Sequence, residues 1–247
     1  MIFGIETDII TILLLSALIT GMAKTGINGL GLISVPIMAI AFGARESTGV
    51  LLPMLIMADI YAVIYYHRSA QWKIILKILP AAILGIGIGI VTGKMISAEQ
   101  FRTLLSIVVL IMVVIMIVKD LGKKKDKVPD SYWFAGIMGL IGGFATMIGN
   151  AAGPVFAVYL LAMRLPKNNF IGTGAWFFFI INLFKVPFHI FVWKTISWQT
   201  FQYDIIALPV ILIGGFVGVR LVKLFPEKAY RWFIITTTCL SASILLW

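Results

Sequence analysis

Charged side chains are scarce in this sequence. Only 12% of its 247 residues are charged and 61% are hydrophobic, whereas a soluble globular domain averages about 25% charged and 45–50% apolar residues. This composition excludes an ordinary water-soluble domain. The apolar residues form blocks, such as Ile74 to Thr92 and Ile205 to Val219, that approach or reach the roughly 20 residues needed to cross a bilayer. The chain is therefore predicted to be an integral membrane protein.

Cysteine and histidine are almost missing as well. The one cysteine, Cys239, lies in an apolar run, which excludes an intramolecular disulfide and a cysteine-based metal site. The sequence also has no metal-ligand spacing of Cys and His, no visible pairing of a nucleophile with a base, and no GxxxxGK[ST] phosphate loop. We therefore expect no enzyme activity, no metal, no cofactor and no ATP-driven step encoded in this chain.

Basic residues outnumber acidic ones by 20 to 10. They cluster at the ends of the apolar blocks and in the loop KDLGKKKDKVPD, residues 119–130. Basic loops beside spans set membrane orientation and meet anionic lipid, so the excess predicts contact with the bilayer and not with nucleic acid. The first apolar block follows Glu6 and Asp8 and lacks a small-residue cleavage site, so we expect no signal peptide.

The Lys-rich loop divides the sequence into two similar halves, residues 1–120 and 132–247, joined by a linker at 121–131. The segment MAKTGINGLGLISVPIMAI in the first half aligns with FATMIGNAAGPVFAVYLLA in the second. The same order of matches continues along both halves: Asn28 with Asn150, Gly31 with Gly153, Gly49 with Gly172, Asp59 with Asn182, Trp72 with Trp198 and Gly85 with Gly214. This ordered series predicts a duplicated unit.

Each half is predicted to contain two short apolar segments around a Gly/Asn break and then three long spans. These are 5–21 and 32–43 followed by 46–67, 73–93 and 98–119, then 132–147 and 154–164 followed by 168–193, 200–222 and 228–247. The two short segments could form one broken span or a re-entrant hairpin that returns the chain to its starting side. Hydrophobicity alone leaves both possibilities open.

The distribution of basic residues favours the re-entrant hairpin. A single broken span would divide the Lys and Arg residues equally between the two sides, whereas cytoplasmic loops normally hold the excess. With a hairpin, fourteen basic residues fall on the side of the central loop: Arg68, Lys73, Lys77, Lys119, Lys123, Lys124, Lys125, Lys127, Arg164, Lys167, Arg220, Lys223, Lys228 and Arg231. The other side keeps four: Arg45, Lys94, Arg102 and Lys194. We therefore predict an all-α polytopic protein with two inverted repeats, each a broken or re-entrant hairpin followed by three transmembrane helices, with a cytoplasmic central loop.

The two breaks are predicted to form an anion site. Inverted repeats with interrupted helices in matching positions are typical of secondary transporters. Glycine allows close approach of a ligand to the backbone, and a helix that begins after such a turn directs free N–H groups and partial positive charge at it. Lys24 adds a full charge and needs a partner at that depth. The alternatives are that the glycines serve helix packing, that Lys24 reaches to an interface, and that Asn28 and Asn150 only cap helices.

Three more ionisable residues inside predicted spans are candidates for function. Asp59 is the deepest carboxylate and is a candidate proton carrier; the alternative is a structural pair with Lys24 or Lys185. Lys185 and His189 lie one turn apart on one helix face. Lys185 is a candidate anion ligand, and His189 is either a second proton carrier or a structural residue.

The paired breaks, GMAKTGINGLGLISVP and GFATMIGNAAGPVF, resemble those of the TauE/SafE sulfite exporter family, also called the TSUP family, over nearly the whole chain. In many members the breaks carry a fuller GxGGG-like run, where this chain has GINGLG and GNAAG. The resemblance implies a carrier for a small sulfur-containing anion, such as sulfite or an organosulfonate like sulfoacetate. It also implies export as the direction of transport.

The resulting hypothesis is a secondary transporter in the plasma membrane, the inner membrane of a bacterium, that works by alternating access and is coupled to protons as one option. The predicted substrate ligands are Lys24, Thr25, Gly26, Asn28, Gly29, Gly31, Thr146, Gly149, Asn150, Gly153 and Lys185, with Asp59 and His189 as proton-coupling candidates. An anion channel and a carrier of a non-sulfur anion remain alternatives. A cation carrier is disfavoured because only Asp59 is expected to lie deep. The sequence leaves the oligomeric state open, with a homodimer as one option.

Overall fold

The computed structural model describes residues 7–27, 30–43, 45–93, 95–97, 99–100, 103, 131–230, 232–233 and 235–236. The helices in this part of the chain are α1 (Thr7–Lys24), α2 (Gly31–Phe42), α3 (Glu46–Tyr66), α4 (Trp72–Thr92), α5 (Tyr132–Gly149), α6 (Gly153–Ala162), α7 (Lys167–Pro187) and α8 (Trp198–Leu224). A short 3₁₀ turn, His67–Ser69, follows α3, and a π-helical turn, Phe188–Val192, follows α7. The described residues contain no strand, which confirms the all-helical prediction. The predicted span 98–119 lies almost entirely outside them, and so does most of the predicted span 228–247.

Five segments of the described chain are long and apolar enough to cross a membrane. They are Glu46–Ser69, Trp72–Thr92, Tyr132–Gly149, Lys167–Val192 and Trp198–Leu224. The helices α2 and α6, with 12 and 10 residues, are shorter. At 1.5 Å per residue they measure about 18 and 15 Å, well under the roughly 30 Å of a bilayer core. A multi-pass membrane protein is thus confirmed, and two of its helices cannot cross by themselves.

Each short helix packs antiparallel to the helix before it. In the first pair, Gly31 at the start of α2 lies beside Ala23 near the end of α1, and Ser34 lies further back, beside Thr20. In the second pair, Gly142 of α5 faces Val155 of α6. The chain thus reverses between α1 and α2 and again between α5 and α6. The hairpin interpretation predicts this geometry.

Backbone conformation explains why the chain turns where it does. Gly26 has φ of +133°, a region that side chains other than hydrogen rarely enter. A Cβ at this position would also approach Val222 and Ile171 to 2.6 and 3.0 Å. At the second turn Asn150 ends α5 in the left-handed conformation, with φ of 55°. Asparagine is the usual substitute for glycine at such a helix end.

The two halves of the chain contact each other through two equivalent helix pairs, each formed by the first helix of one half and the fourth described helix of the other. α1 packs on α8, and α4 packs on α5. In both pairs glycines let the backbones touch, because a Cβ would overlap a carbonyl of the facing helix: Gly21 faces Ile211, Gly214 faces Leu18, Gly143 faces Ala82 and Gly85 faces Leu140. Small residues at such crossings are typical of membrane helix packing. The sequence alignment pairs α1 with α5 and α4 with α8, so the two contacts are counterparts.

The helices α3 and α7 run antiparallel between these pairs. Gly49 near the start of α3 packs on Thr195, just beyond the end of α7, while Gly172 near the start of α7 packs on Tyr66 at the end of α3. Midway between them, Asn182 donates a hydrogen bond to Asp59. These two residues are aligned positions of the two halves, and here they are in direct contact.

Candidate functional site

A cavity of about 70 Å³ lies between the two hairpins. The first hairpin contributes Lys24 and Gly31 to its lining, and the second contributes Thr146, Asn150 and Gly153. The two breaks, which are far apart in the sequence, therefore lie on one cavity. The rest of the wall is mainly apolar and comes mostly from α3, α6 and α7.

Two helices begin at this cavity. Gly31 is the first residue of α2 and Gly153 the first residue of α6, and both line it. The residues before them, Leu30 and Ala152, make no side-chain capping bond. A helix start directs backbone N–H groups and partial positive charge outward. The site therefore has two sources of positive potential besides its lysines.

Lys24 forms an ion pair at the edge of the cavity. Its Nζ lies 2.8 Å from Asp59 Oδ1, and the Asp59 carboxylate is fully buried. Asn182 Nδ2 donates to the other oxygen, Oδ2, at 2.7 Å. The Lys24 ammonium also lies 4.3 Å from the centre of the Phe178 ring. The predicted need for a partner to Lys24 is thus met by Asp59, which the sequence could pair with either Lys24 or Lys185.

Lys185 is held differently. It is fully buried, and its Nζ donates to Thr146 O and Oγ1, both at 3.0 Å, and to Asn150 Oδ1 at 2.6 Å. These acceptors match the three protons of an ammonium group, and all of them are neutral. Asn150 is in turn fixed by a bond from its Nδ2 to Thr48 O at 3.1 Å. A cation therefore lies behind the second break with neutral ligands only.

Two tyrosines hold the first break, and sequence reasoning missed both. Tyr66 Oη donates to Thr25 O at 3.4 Å, and Tyr230 Oη donates to Gly26 O at 2.7 Å. They come from the end of α3 and from beyond α8, so no local pattern connects them to the break. The carbonyls that the turn leaves without helix partners are satisfied in this way.

The remaining predicted site residues have varied positions. Thr25 is buried and donates back to Gly21 O at 3.0 Å, so its hydroxyl stabilises the end of α1. Gly149 is the last residue of α5 and, like Gly26, is not part of the cavity wall. His189 lies in the π-helical turn, where Nδ1 is 2.8 Å from Thr195 Oγ1, also away from the cavity wall. Asn28 and Gly29 lie outside the described residues.

Aromatic side chains form much of the apolar wall. Phe156 and Phe178 line the cavity, and the Phe156 and Phe177 rings stack 4.0 Å apart. The AWFFFI segment of α7 thus contributes one ring, Phe178, to the site itself. A run of aromatics in a span is normally interpreted as core or lipid contact, and nothing in the sequence singled out this ring.

The expectation that Asp59 is the one deep carboxylate was wrong. Asp204 in α8 is also fully buried. Helical periodicity could have revealed it, because it shares a face with the glycines that contact α1. No group of three or more His, Cys, Asp or Glu residues that could hold a metal ion occurs in the described part of the chain.

A membrane-spanning helical bundle in which two broken elements share one cationic cavity is the arrangement found in many membrane transporters. The family model for the sulfite exporter TauE/SafE matches residues 13–245. The chain belongs to this family, which confirms the resemblance carried by its two breaks. The family consists of transporters and not of enzymes, so the chain is a multi-pass membrane transporter. Comparison with curated proteins and with solved structures gave no match.

Proposed function

We propose that this protein is a secondary transporter that exports a small sulfur-containing anion, sulfite or an organosulfonate such as sulfoacetate, across the plasma membrane. The observation that carries the proposal is the shared cavity, where Lys24 and the starts of α2 and α6 converge. Lys185 stands directly behind it through Thr146 and Asn150. Positive charge from two lysines and two helix starts, opposed by the Asp59 carboxylate, suits an anion.

Alternating access is the mechanism we propose for the two halves. The matched contacts of α1 with α8 and of α4 with α5 support two units of similar build. The antiparallel packing of α3 on α7 supports opposite orientations of those units in the membrane. Rocking of one unit against the other would open the cavity first to one side and then to the other. The excess of basic residues on its side of the membrane supports a cytoplasmic central loop.

Asp59 is the residue we propose for coupling to protons. Its carboxylate is held by Lys24 and Asn182 at the cavity, and Lys185 is the other charged group nearby. An incoming anion that bonds to Lys24 competes with Asp59 for the same ammonium, and a carboxylate that loses its partner in a dry site takes up a proton more readily. Asp59→Asn should therefore weaken the pH dependence of transport. A variant with the pH profile of the wild type would remove Asp59 from this role.

Labelled sulfite counterflow into proteoliposomes tests the substrate. We expect saturable uptake that is inhibited by unlabelled sulfite and sulfoacetate and little affected by acetate. Lys24→Gln should raise the KM for sulfite about tenfold or more, which corresponds to about 1.4 kcal/mol of lost interaction. Lys194→Gln is the matched control, because Lys194 is exposed and outside the cavity wall.

The same assay separates the alternatives. Flux that does not saturate and shows no counterflow would indicate an anion channel. Counterflow inhibited equally by acetate and sulfoacetate would indicate a carrier of small anions in general. Inserted, folded protein without sulfite counterflow would exclude sulfite as a substrate.

A further inference from the structure

A second and larger cavity lies at the membrane end where α6 ends, α7 begins and α8 ends. Its volume is about 450 Å³. It is formed by the turn between α6 and α7 on one side and by the segment after α8 on the other. None of the predicted substrate ligands lines it. The ends of three helices meet here, so the cavity opens at the boundary between the membrane and water.

The cavity combines cationic residues with apolar walls. Arg164 and Lys228 line it from opposite sides, and both are exposed. Lys167 is already engaged, since its Nζ donates to Phe225 O at 2.7 Å and Val222 O at 3.1 Å. Glu227, the one acidic residue of the lining, accepts the backbone N–H of Lys167 at 2.9 Å. Arg164 and Lys228 are therefore the cations that can meet a ligand.

We propose that this cavity binds the phosphate headgroup of an anionic phospholipid. Leu161, Leu165, Pro166 and Phe170 supply apolar wall beside the two cations. A phospholipid presents this same pairing, with a phosphate at the membrane surface and glycerol and acyl carbons below it. Basic pockets between membrane helices recognise anionic headgroups in this way. Because α7 and α8 are long enough to span a membrane, their ends, and with them this cation pair, are expected at the depth of the lipid phosphates.

The lipid cavity adjoins the candidate transport site. Phe170 lines both cavities, and its ring packs edge-to-face on Tyr230 at a centroid distance of 6.2 Å. Tyr230 lines the lipid cavity and donates its hydroxyl to Gly26 O in the first break. A lipid that steadies Tyr230 thereby steadies the turn beside Lys24. We therefore expect anionic lipid to raise transport, a consequence that rests on the proposed transport function.

Lipid retention on the full-length protein tests the site. Protein equilibrated with equal amounts of phosphatidylglycerol and phosphatidylcholine is examined by native mass spectrometry. The wild type should retain phosphatidylglycerol preferentially, and Arg164→Gln with Lys228→Gln should reduce that preference about tenfold or more. The control pair, Arg68→Gln with Lys73→Gln, removes two exposed cations at the same membrane end and should leave the preference unchanged.

Three results would overturn the proposal. One is the absence of any preference for phosphatidylglycerol in the wild type. Another is equal loss in both pairs, which would indicate general surface charge. The third is displacement of the lipid by soluble glycerol phosphate at similar concentration, which would indicate a site for a free phosphate compound. The single variant Lys228→Gln, expected to lose part of the preference, serves if the double variant does not fold.

Counterflow in vesicles with and without phosphatidylglycerol tests the coupling. The stimulation by this lipid should disappear in the Arg164→Gln, Lys228→Gln pair and persist in the control pair. Specific lipid binding without stimulation would overturn the coupling through Tyr230 and leave the lipid site in place. A lack of sulfite counterflow under every condition would instead count against the proposed function, because lipid retention is measured separately.

Discussion

At the scale of single residues, the two lysines at the hairpins are held by different kinds of partner. Lys24 is paired with the buried carboxylate of Asp59, whereas Lys185 is surrounded by neutral oxygens. The Asp59 carboxylate offsets part of the positive charge that Lys24 presents to the cavity. A buried cation with neutral ligands keeps its attraction for an anion, at a cost in desolvation. The two lysines should therefore respond differently to neutralisation.

Replacing Lys185 by methionine tests this difference. Lys185→Met removes the charge and keeps most of the side-chain volume, but it leaves Asn150 Oδ1 without its donor, so we expect the free energy of unfolding to fall by about 1–3 kcal/mol. Sulfite affinity should fall about tenfold or more, measured as the KM of counterflow. Lys194→Met, at an exposed lysine, is the control. An unchanged KM in Lys185→Met would show that this cation does not act on the substrate.

The Lys24–Asp59 ion pair can be tested through the effect of its removal on the stability of the folded protein. Asp59→Asn alone leaves Lys24 without its carboxylate, and breaking a buried pair in this way costs about 3–5 kcal/mol. Removing both charges, in Lys24→Met with Asp59→Asn, should restore much of that loss. A double-mutant cycle on thermal unfolding in detergent measures the interaction. Additive losses would mean that the two side chains do not stabilise one another.

The sequence identified the charged residues of the site, but it did not identify the side chains that contact them. Lys24, Asp59 and Lys185 were identifiable because a charge inside an apolar block is rare and costly. Whether Asp59 would pair with Lys24 or Lys185 required the packing of α1 on α3. Tyr66 and Tyr230 could not have been found, because their bonds to Thr25 and Gly26 span 41 and 204 residues.

At the scale of helices, close glycine contacts hold each hairpin to the helix beside it. Gly143 of α5 has no space for a Cβ because the backbone of Ala82 lies against it. Gly136, two turns earlier on the same helix, has nothing within 4 Å of the same position. The two glycines thus allow one substitution to be compared in crowded and open surroundings.

Gly143→Ala should lower the stability of the protein by about 1–3 kcal/mol, the usual cost of overpacking. Gly136→Ala should be neutral, or more stable by up to about 1 kcal/mol through helix propensity. Thermal unfolding in detergent, monitored by size-exclusion chromatography, compares the melting temperatures of the two variants. Equal melting temperatures would contradict the close packing of α4 on α5.

At the scale of the whole molecule, the order of the described helices followed from apolar length, whereas the path of the chain through the membrane did not. In the sequence, a block of 12 residues such as α2 differs from a long span in length alone. A break between two short blocks can either join two half-spans or reverse the chain. The positive charges favoured reversal. The contact of Ser34 with Thr20 and that of Gly31 with Ala23 agree with it, since both need α2 to run back along α1.

Reversal of the chain in the first hairpin predicts which residues face the same aqueous compartment. With a reversal, Asp8 in the first turn of α1, Arg45 after α2 and Lys194 after α7 share one side, and Arg68 and Arg164 share the other. All five are exposed. Arg45 also lies 5.5 Å from the Trp193 ring, which places the end of the first hairpin beside the end of α7. A single broken span would instead separate Asp8 from Arg45.

Labelling of single cysteines decides between these paths. Each of the five positions is changed to cysteine in a Cys239→Ala background and treated with a membrane-impermeant maleimide, in intact and in permeabilised cells. We expect Asp8→Cys, Arg45→Cys and Lys194→Cys to react in intact cells, and Arg68→Cys and Arg164→Cys to react only after permeabilisation. Because Asp8 and Arg45 flank the first hairpin and nothing else, their accessibility reports on that hairpin alone. If they label from opposite sides, the first hairpin crosses the membrane, and the two halves cannot have the inverted arrangement on which alternating access depends.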